Sequence, residues 1–287
     1  MTLARLHDGS SIEIEVTGSG PTLLLPVKPQ PVEGQLAEQM RQYGNDPALG
    51  RSLIDGLNDS LQVAAFDYEG HVLSTPKAQT LTPANVASDL LAVADAVGAE
   101  RFAYYGYSWL AVIGLQLAIR SDRLSALIMG GYPPLNGPYA EMLRVTTATY
   151  EMVIAEKGTP AQAPQENEGQ QAEEDEWSNA EVPLSEEQTR QFVTLYQALQ
   201  DFDDAAIQDK ITCPRLCFVG SADEITYGQR WGNVHVSLAG PTLHGQKELE
   251  ALGWDVRILP ELDHTQAMQA AQVLPILRSW LLPHLQV

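Results

Sequence analysis

The chain has 287 residues, 44% of them apolar, enough to bury one large core. Its 37 acidic residues outnumber 17 basic ones, and the net charge of −20 argues against nucleic acid and anionic membranes as partners. The segment Met1 to Asp8 has no apolar signal core, and no run approaches ~20 uninterrupted apolar residues, so neither a secretory leader nor a membrane span is expected. Strands are expected at Thr2–Leu6 and Ile12–Thr17, flanking the Asp8-Gly9-Ser10 turn, and at Thr22–Val27. Asp46–Leu57 suits a short helix and Leu61–Asp67 a strand. Pro83–Val97 has apolar residues at helical spacing, with Thr82 as N-cap, Pro83 at the first helical position and Gly98 as terminator. A strand at Arg101–Tyr105, a helix at Ala111–Arg120 and a strand at Leu124–Met129 continue the alternation. Such alternation implies a parallel sheet covered on both faces.

After Met129 the rhythm breaks at Gly130-Gly131-Tyr132-Pro133-Pro134. Tyr139–Ala155 and Ser185–Phe202 are expected helices, the second opening with a Ser185/Gln188 capping box. Between them, 158–176 is rich in Gln, Glu, Ala and Pro and is expected to be a mobile acidic loop. The sheet rhythm returns with strand Arg215–Val219, helix Pro241–Leu252, strand Trp254–Leu259 and helix Thr265–Leu281. The division expected is a core of residues 1–132 and 205–287, with 133–204 inserted as a cap over the C-terminal edge of the sheet, where ligands bind in such folds. Cys213 and Cys217, the only cysteines, lie roughly 13 Å apart on an extended strand at ~3.3 Å per residue. They cannot bridge each other there, and buried free thiols in a reducing cytoplasm are expected.

The most informative feature is Tyr105-Gly106-Tyr107-Ser108-Trp109-Leu110, a serine on a sharp turn between a strand and a helix. Such a turn frees the hydroxyl above a helix N-terminus, as acyl transfer requires of a nucleophile. Further on, Gly220-Ser221-Ala222-Asp223 follows one strand and Leu262-Asp263-His264 follows the last. Together with Asp67–Ser74 after the fourth strand, these segments resemble the α/β-hydrolase fold family in order and position, over nearly the whole chain. The resemblance implies an α/β fold with a mostly parallel eight-stranded sheet, helices on both faces and a helical cap.

It also implies a serine hydrolase with Ser108 as nucleophile, His264 as base and Asp223 orienting the imidazole. His71 is the rival histidine, and Glu224 and Asp263 are the rival acids. One oxyanion donor would be Trp109 N–H. The second would come from Leu25-Pro26-Val27-Lys28-Pro29, where the prolines have no N–H, leaving Lys28 and then Val27. The family's glycine is absent there, and losing one such donor costs about two to three orders of magnitude in turnover.

Leu110 replaces the second glycine of the usual Gly-x-Ser-x-Gly, so the helix is expected to shift outward or to turn this side chain into the core, with Ala111 and Gly114 compensating. Tyr107, Tyr132, Met142, Tyr150 and Phe192 are candidate pocket walls. Ser108 argues against the dehalogenase and epoxide-hydrolase branches, which use aspartate. The expected activity is cleavage of a small or medium ester, thioester or lactone, with a small-molecule acyl substrate as partner, no cofactor and no metal. A homodimer is compatible with the sequence. The alternatives are lyase or acyltransferase chemistry at the same triad, or a ligand-binding protein that retains the fold with little catalysis.

Overall fold

The computed structural model describes residues 2–157 and 184–285; the acidic stretch 158–176 lies outside them. The chain opens with strands β1 (Thr2–Arg5), β2 (Ser11–Thr17) and β3 (Thr22–Leu25). Helices α1 (Gly34–Gln42) and α2 (Leu49–Leu57) lead to β4 (Gln62–Ala65), α3 (Tyr68–Ser74) and α4 (Pro83–Ala96). Next come β5 (Phe102–Tyr107), α5 (Trp109–Ala118), β6 (Leu124–Gly130), α6 (Tyr139–Lys157) and α7 (Glu186–Ala198). The last part holds β7 (Arg215–Gly220), the short strands β8 (Glu224–Thr226) and β9 (His235–Ser237), α8 (Ala239–Ala251), β10 (Trp254–Leu259), α9 (His264–Ala267) and α10 (Ala270–Leu285).

Eight strands form one sheet in the order β1-β2-β4-β3-β5-β6-β7-β10. The β1–β2 and β2–β4 pairs are antiparallel, and every pair from β4 across to β10 is parallel. Side chains alternate between the faces, as the two-residue period requires. Leu24, Tyr104, Leu127 and Met129 face one core with Val86, Leu90 and Leu115 of α4 and α5. Leu23, Leu25, Tyr105 and Ile128 face the other, with Leu53 and Leu57 of α2 and Val273 and Leu277 of α10. Helix α5 is buried at every position, which explains why it is apolar all round instead of amphipathic.

Between β6 and β7, α6 and α7 pack on each other. The Ser185/Gln188 capping box opens α7. Side chains of α7 then bind the backbone of α3 and of the segment after it: Gln188 Nε2 donates to Leu73 O at 2.7 Å, Gln191 Nε2 to Val72 O at 3.0 Å and Thr194 Oγ1 to Ala78 O at 2.6 Å. In return Lys77 N–H donates to Gln191 Oε1 at 3.0 Å.

Several elements differ from the sequence expectations. Helix α1 was not expected because only Ala37 is buried on it, so no apolar stripe marks it. Asp67–Ser74, which the resemblance matches to the family's loop after the fourth strand, is helical from Tyr68, with the Asp67 carboxylate capping Gly70 N–H. The β8–β9 hairpin is too short to give a period. The single helix expected at Thr265–Leu281 is two helices, and the second runs through Pro275 and Pro283. Cys217 is buried and Cys213 half-buried, and both thiols are free.

Candidate active site

Ser108 stands between the last residue of β5 and the first of α5 with φ 55° and ψ −130°, a sparsely populated backbone for a non-glycine residue. Its N–H donates to Gly130 O at 2.9 Å and its carbonyl accepts from Ala111 N–H at 2.9 Å. Its side chain does not cap the helix, so the hydroxyl is not consumed as an N-cap. The tight turn depends on Gly106, where a Cβ would lie 2.3 Å from the Leu110 carbonyl oxygen. Leu110 therefore does not push α5 outward. Its backbone stays close to β5 and its side chain enters the core, with 5% exposure. Gly114 gives room one turn later: a Cβ there would meet the Tyr104 ring at 2.7 Å, and the Tyr104 hydroxyl donates to Leu110 O at 2.8 Å.

Asp223 and His264 come together from loops after β7 and β10, with His264 Nδ1 2.8 Å from Asp223 Oδ2. The loops are bound to each other through backbone and the Ser221 hydroxyl. Ser221 N–H donates to Leu259 O, Ala222 N–H to Leu262 O, and Glu261 N–H to Ser221 Oγ. A Cβ on Gly220 would lie 2.1 Å from Leu262 O, so only glycine admits this approach. Glu261 adopts φ 61° to complete the turn. Asp223 is fully buried; burial raises its pKa, and the hydrogen bond with His264 offsets part of that rise. Its Oδ1 has no hydrogen-bond partner among the described residues.

The rival groups are engaged elsewhere. Glu224 binds His235 Nε2 at 3.0 Å and accepts from Ser237 Oγ at 2.7 Å in the β8–β9 hairpin. Asp263 caps α9 through Gln266 N–H. His71 Nε2 lies 3.0 Å from Ser10 Oγ.

The second oxyanion donor is narrowed by one hydrogen bond. Val27 N–H donates to Leu25 O at 2.9 Å, so Val27 cannot serve in this conformation, contrary to the sequence expectation. Lys28 N–H remains, and the Lys28 side chain is exposed. The Lys28 peptide is set against the first turn of α2, where a Cβ on Gly50 would lie 1.9 Å from Lys28 O. Trp109 N–H is at the first position of α5, where the helix offers it no internal acceptor.

Among the candidate pocket walls, Tyr107 is half-buried with its hydroxyl donating to His264 O at 2.7 Å. Tyr132 is 2% exposed and packs on Tyr139, so it does not line an open wall. Phe192 of α7 meets the Trp109 ring edge-on at 5.7 Å between centroids. Two surface hollows, of about 570 Å³ beside α1 and about 340 Å³ between α4, α5 and the end of α7, are lined by other residues. The roles of Gly130, Gly131 and Gly220 were not read from the sequence. Their glycine identity was visible, but the side chains and carbonyls pressed against them come from distant elements.

No protein-family model and no curated protein matches the chain. Solved structures do. An esterase from Thermogutta terrifontis is 18% identical over 99% of this chain and 98% of that one, with a TM-score of 0.59. The enol-lactonase from Burkholderia xenovorans LB400 is 16% identical over 97% and 99%, with a TM-score of 0.60. An esterase from Exiguobacterium antarcticum is 18% identical over 97% and 98%, with a TM-score of 0.58. The chain has the α/β-hydrolase fold. In this α/β-hydrolase fold, Ser108, Asp223 and His264 follow β5, β7 and β10 in the chain order that the resemblance implied. The fold also carries a short antiparallel hairpin, β8–β9, between Asp223 and α8. Among the described residues no helix is long and apolar enough to cross a membrane.

Proposed function

We propose that the protein is a serine hydrolase cleaving a small or medium carboxylic ester, thioester or lactone through an acyl-enzyme on Ser108. The observation that carries this reading is a serine at φ 55° on a strand–helix turn, in one fold with a buried carboxylate 2.8 Å from a histidine Nδ1. Ser108 Oγ attacks the carbonyl carbon while His264 Nε2 takes its proton, and Asp223 holds the imidazole in the required tautomer. The oxyanion rests on Trp109 N–H and Lys28 N–H. His264 then returns the proton to the leaving group, and a water activated by the same imidazole releases the acid. The α6–α7 insertion acts as a cap that shapes the acyl site, with Phe192 meeting Trp109 beside the nucleophile. The solved structures of the same fold include esterases and an enol-lactonase, which agrees with this substrate class.

A second reading rests on the oxyanion segment, where Val27 N–H is spent on Leu25 O. With one donor fixed and the other on an exposed lysine, the site suits acyl transfer to a nucleophile other than water. Intact-mass labelling with a fluorophosphonate tests the first reading. Single, rapid labelling is expected, absent in Ser108→Ala and His264→Ala; folded wild type that stays unlabelled would overturn it. Acyl transfer from an activated ester to an added alcohol or amine, with little hydrolysis, would favour the second.

A further inference from the structure

Tyr107 sits in a slot built for it. The nucleophile strand, the β6 edge and the loop after β10 all contribute to that slot. Its ring lies against Gly130 and Gly131, where added Cβ atoms would stand 2.6 and 2.5 Å from ring carbons. No residue with a side chain fits at either glycine unless the ring moves. Phe218 of β7 closes the slot at 6.0 Å between centroids. The hydroxyl donates to the His264 carbonyl at 2.7 Å. The Tyr107 and His264 ring centroids lie 5.0 Å apart, with the ring planes tilted by 52°.

One side chain therefore touches both the backbone and the ring of His264, from the residue that precedes Ser108. The loop bonds around Ser221 and Leu262 fix His264 to β7, but they do not tie it to β5. Tyr107 supplies that link. We infer that Tyr107 is a positioning residue, holding the His264 imidazole in register with Ser108 and favouring its protonated form through the tyrosine ring packed beside it. The physical basis is twofold. Misplacing a catalytic group by about 1 Å can cost about 10²-fold in rate. An aromatic face within ~6 Å of a cation attracts it, so the ring stabilises the imidazolium that forms during acyl transfer. The inference rests on the serine-hydrolase reading and goes beyond it, since it assigns to Tyr107 a role that involves no substrate contact.

The test uses full-length protein, p-nitrophenyl acetate and the fluorophosphonate. Tyr107→Phe keeps the ring and removes the hydrogen bond; kcat is expected to fall about 3- to 10-fold, the size of one net hydrogen bond, with KM unchanged. Tyr107→Leu removes the ring as well. Its kcat is expected to fall about 10²-fold, and the pH at which kcat reaches half its plateau is expected to move downward. Gly130→Ala crowds the Phe218 and Tyr107 rings without touching the hydroxyl and is expected to lower kcat with KM unchanged.

A Tyr107→Phe protein that is folded and matches wild type in kcat would overturn the inference while leaving the serine reading intact, provided that wild type is labelled and Ser108→Ala is not. So would a loss confined to KM, which would make Tyr107 a substrate contact. Wild type that is folded and unlabelled overturns the serine reading and this inference together.

Discussion

Two sets of serine, histidine and aspartate can be compared in this molecule, the proposed Ser108–His264–Asp223 set and the Ser10–His71–Asp8 set, and their difference shows what a nucleophile requires. At the sheet edge, Ser108 is on a strained turn, its hydroxyl is not used as a cap, and a buried carboxylate holds His264 Nδ1. In the β1–β2 turn, Ser10 Oγ donates to Asp8 Oδ1 at 2.6 Å and lies 3.0 Å from His71 Nε2. Lys77, with a fully buried side chain, binds Asp8 and Ser10. Here the serine proton points at the carboxylate, so the histidine donates to the serine and does not stand as its base. Burial and the nearby ammonium of Lys77 both lower the His71 pKa. Ser10 has an ordinary negative φ and no helix beginning at the next residue. The N-terminal group is thus a clamp. It joins the β1–β2 turn to the Lys77 segment, which in turn holds Gln191 of α7. Beside it, Asp89 accepts from the Tyr68 hydroxyl at 2.7 Å and contacts His7 Nδ1 at 2.9 Å, which ties α4 into the same network.

The sharpest way to break this comparison is to remove each serine. Ser108→Ala should lower ester turnover by about 10⁶-fold, whereas Ser10→Ala should leave turnover of folded protein unchanged; equal losses in a p-nitrophenyl ester assay would show that the two sites are not different in kind. Next in size is Asp223→Asn, expected to lower kcat about 10⁴-fold through the wrong histidine tautomer. The sign of its stability effect is opposite. Burial raises the folded pKa of Asp223, so its contribution is complete below the unfolded pKa and is lost as pH rises through the folded value. At pH 8 the ionised carboxylate costs stability, and the asparagine variant should melt at the same temperature or higher. A clear drop in its melting temperature would mean that the pair with His264 outweighs burial.

The smallest effect belongs to the clamp. Asp8→Ala strands the buried Lys77 ammonium and should cost about 3 kcal/mol in urea denaturation, with turnover per folded molecule retained. Burial alone would raise the Asp8 pKa, but hydrogen bonds from Lys77 and Ser10 hold it well below the usual carboxylate range. Its stabilisation is therefore present above ~4 and fades as pH falls, so the gap between wild type and variant should narrow below that pH. A gap that stays constant into acid would assign the loss to packing.

Much of this was legible in the chain because it was local. The strand runs and the Thr82 and Ser185 caps are patterns of a few residues, and the fold followed from their order. The Gly106-x-Ser108 turn was legible for the same reason: a glycine next to a strand end has few other uses. Helix α1 was not legible because it lies on the surface with one buried side chain, and burial is what writes a periodic pattern into a sequence. The β8–β9 hairpin was too short for any period to register.

The sequence alone determined the alternation of elements, and its resemblance to the α/β-hydrolase fold family implied the eight-stranded sheet and the candidates Ser108, Asp223 and His264. The glycine-to-acid spacing favoured Asp223 over Glu224, but only the fold shows Glu224 occupied in the β8–β9 hairpin. Nor could the sequence show that Val27 N–H is spent, that Leu110 is harmless or that Gly130 and Gly131 make room for Tyr107. Each of these depends on which atom of a distant strand or loop stands within about 3 Å, a distance that only the closed sheet sets.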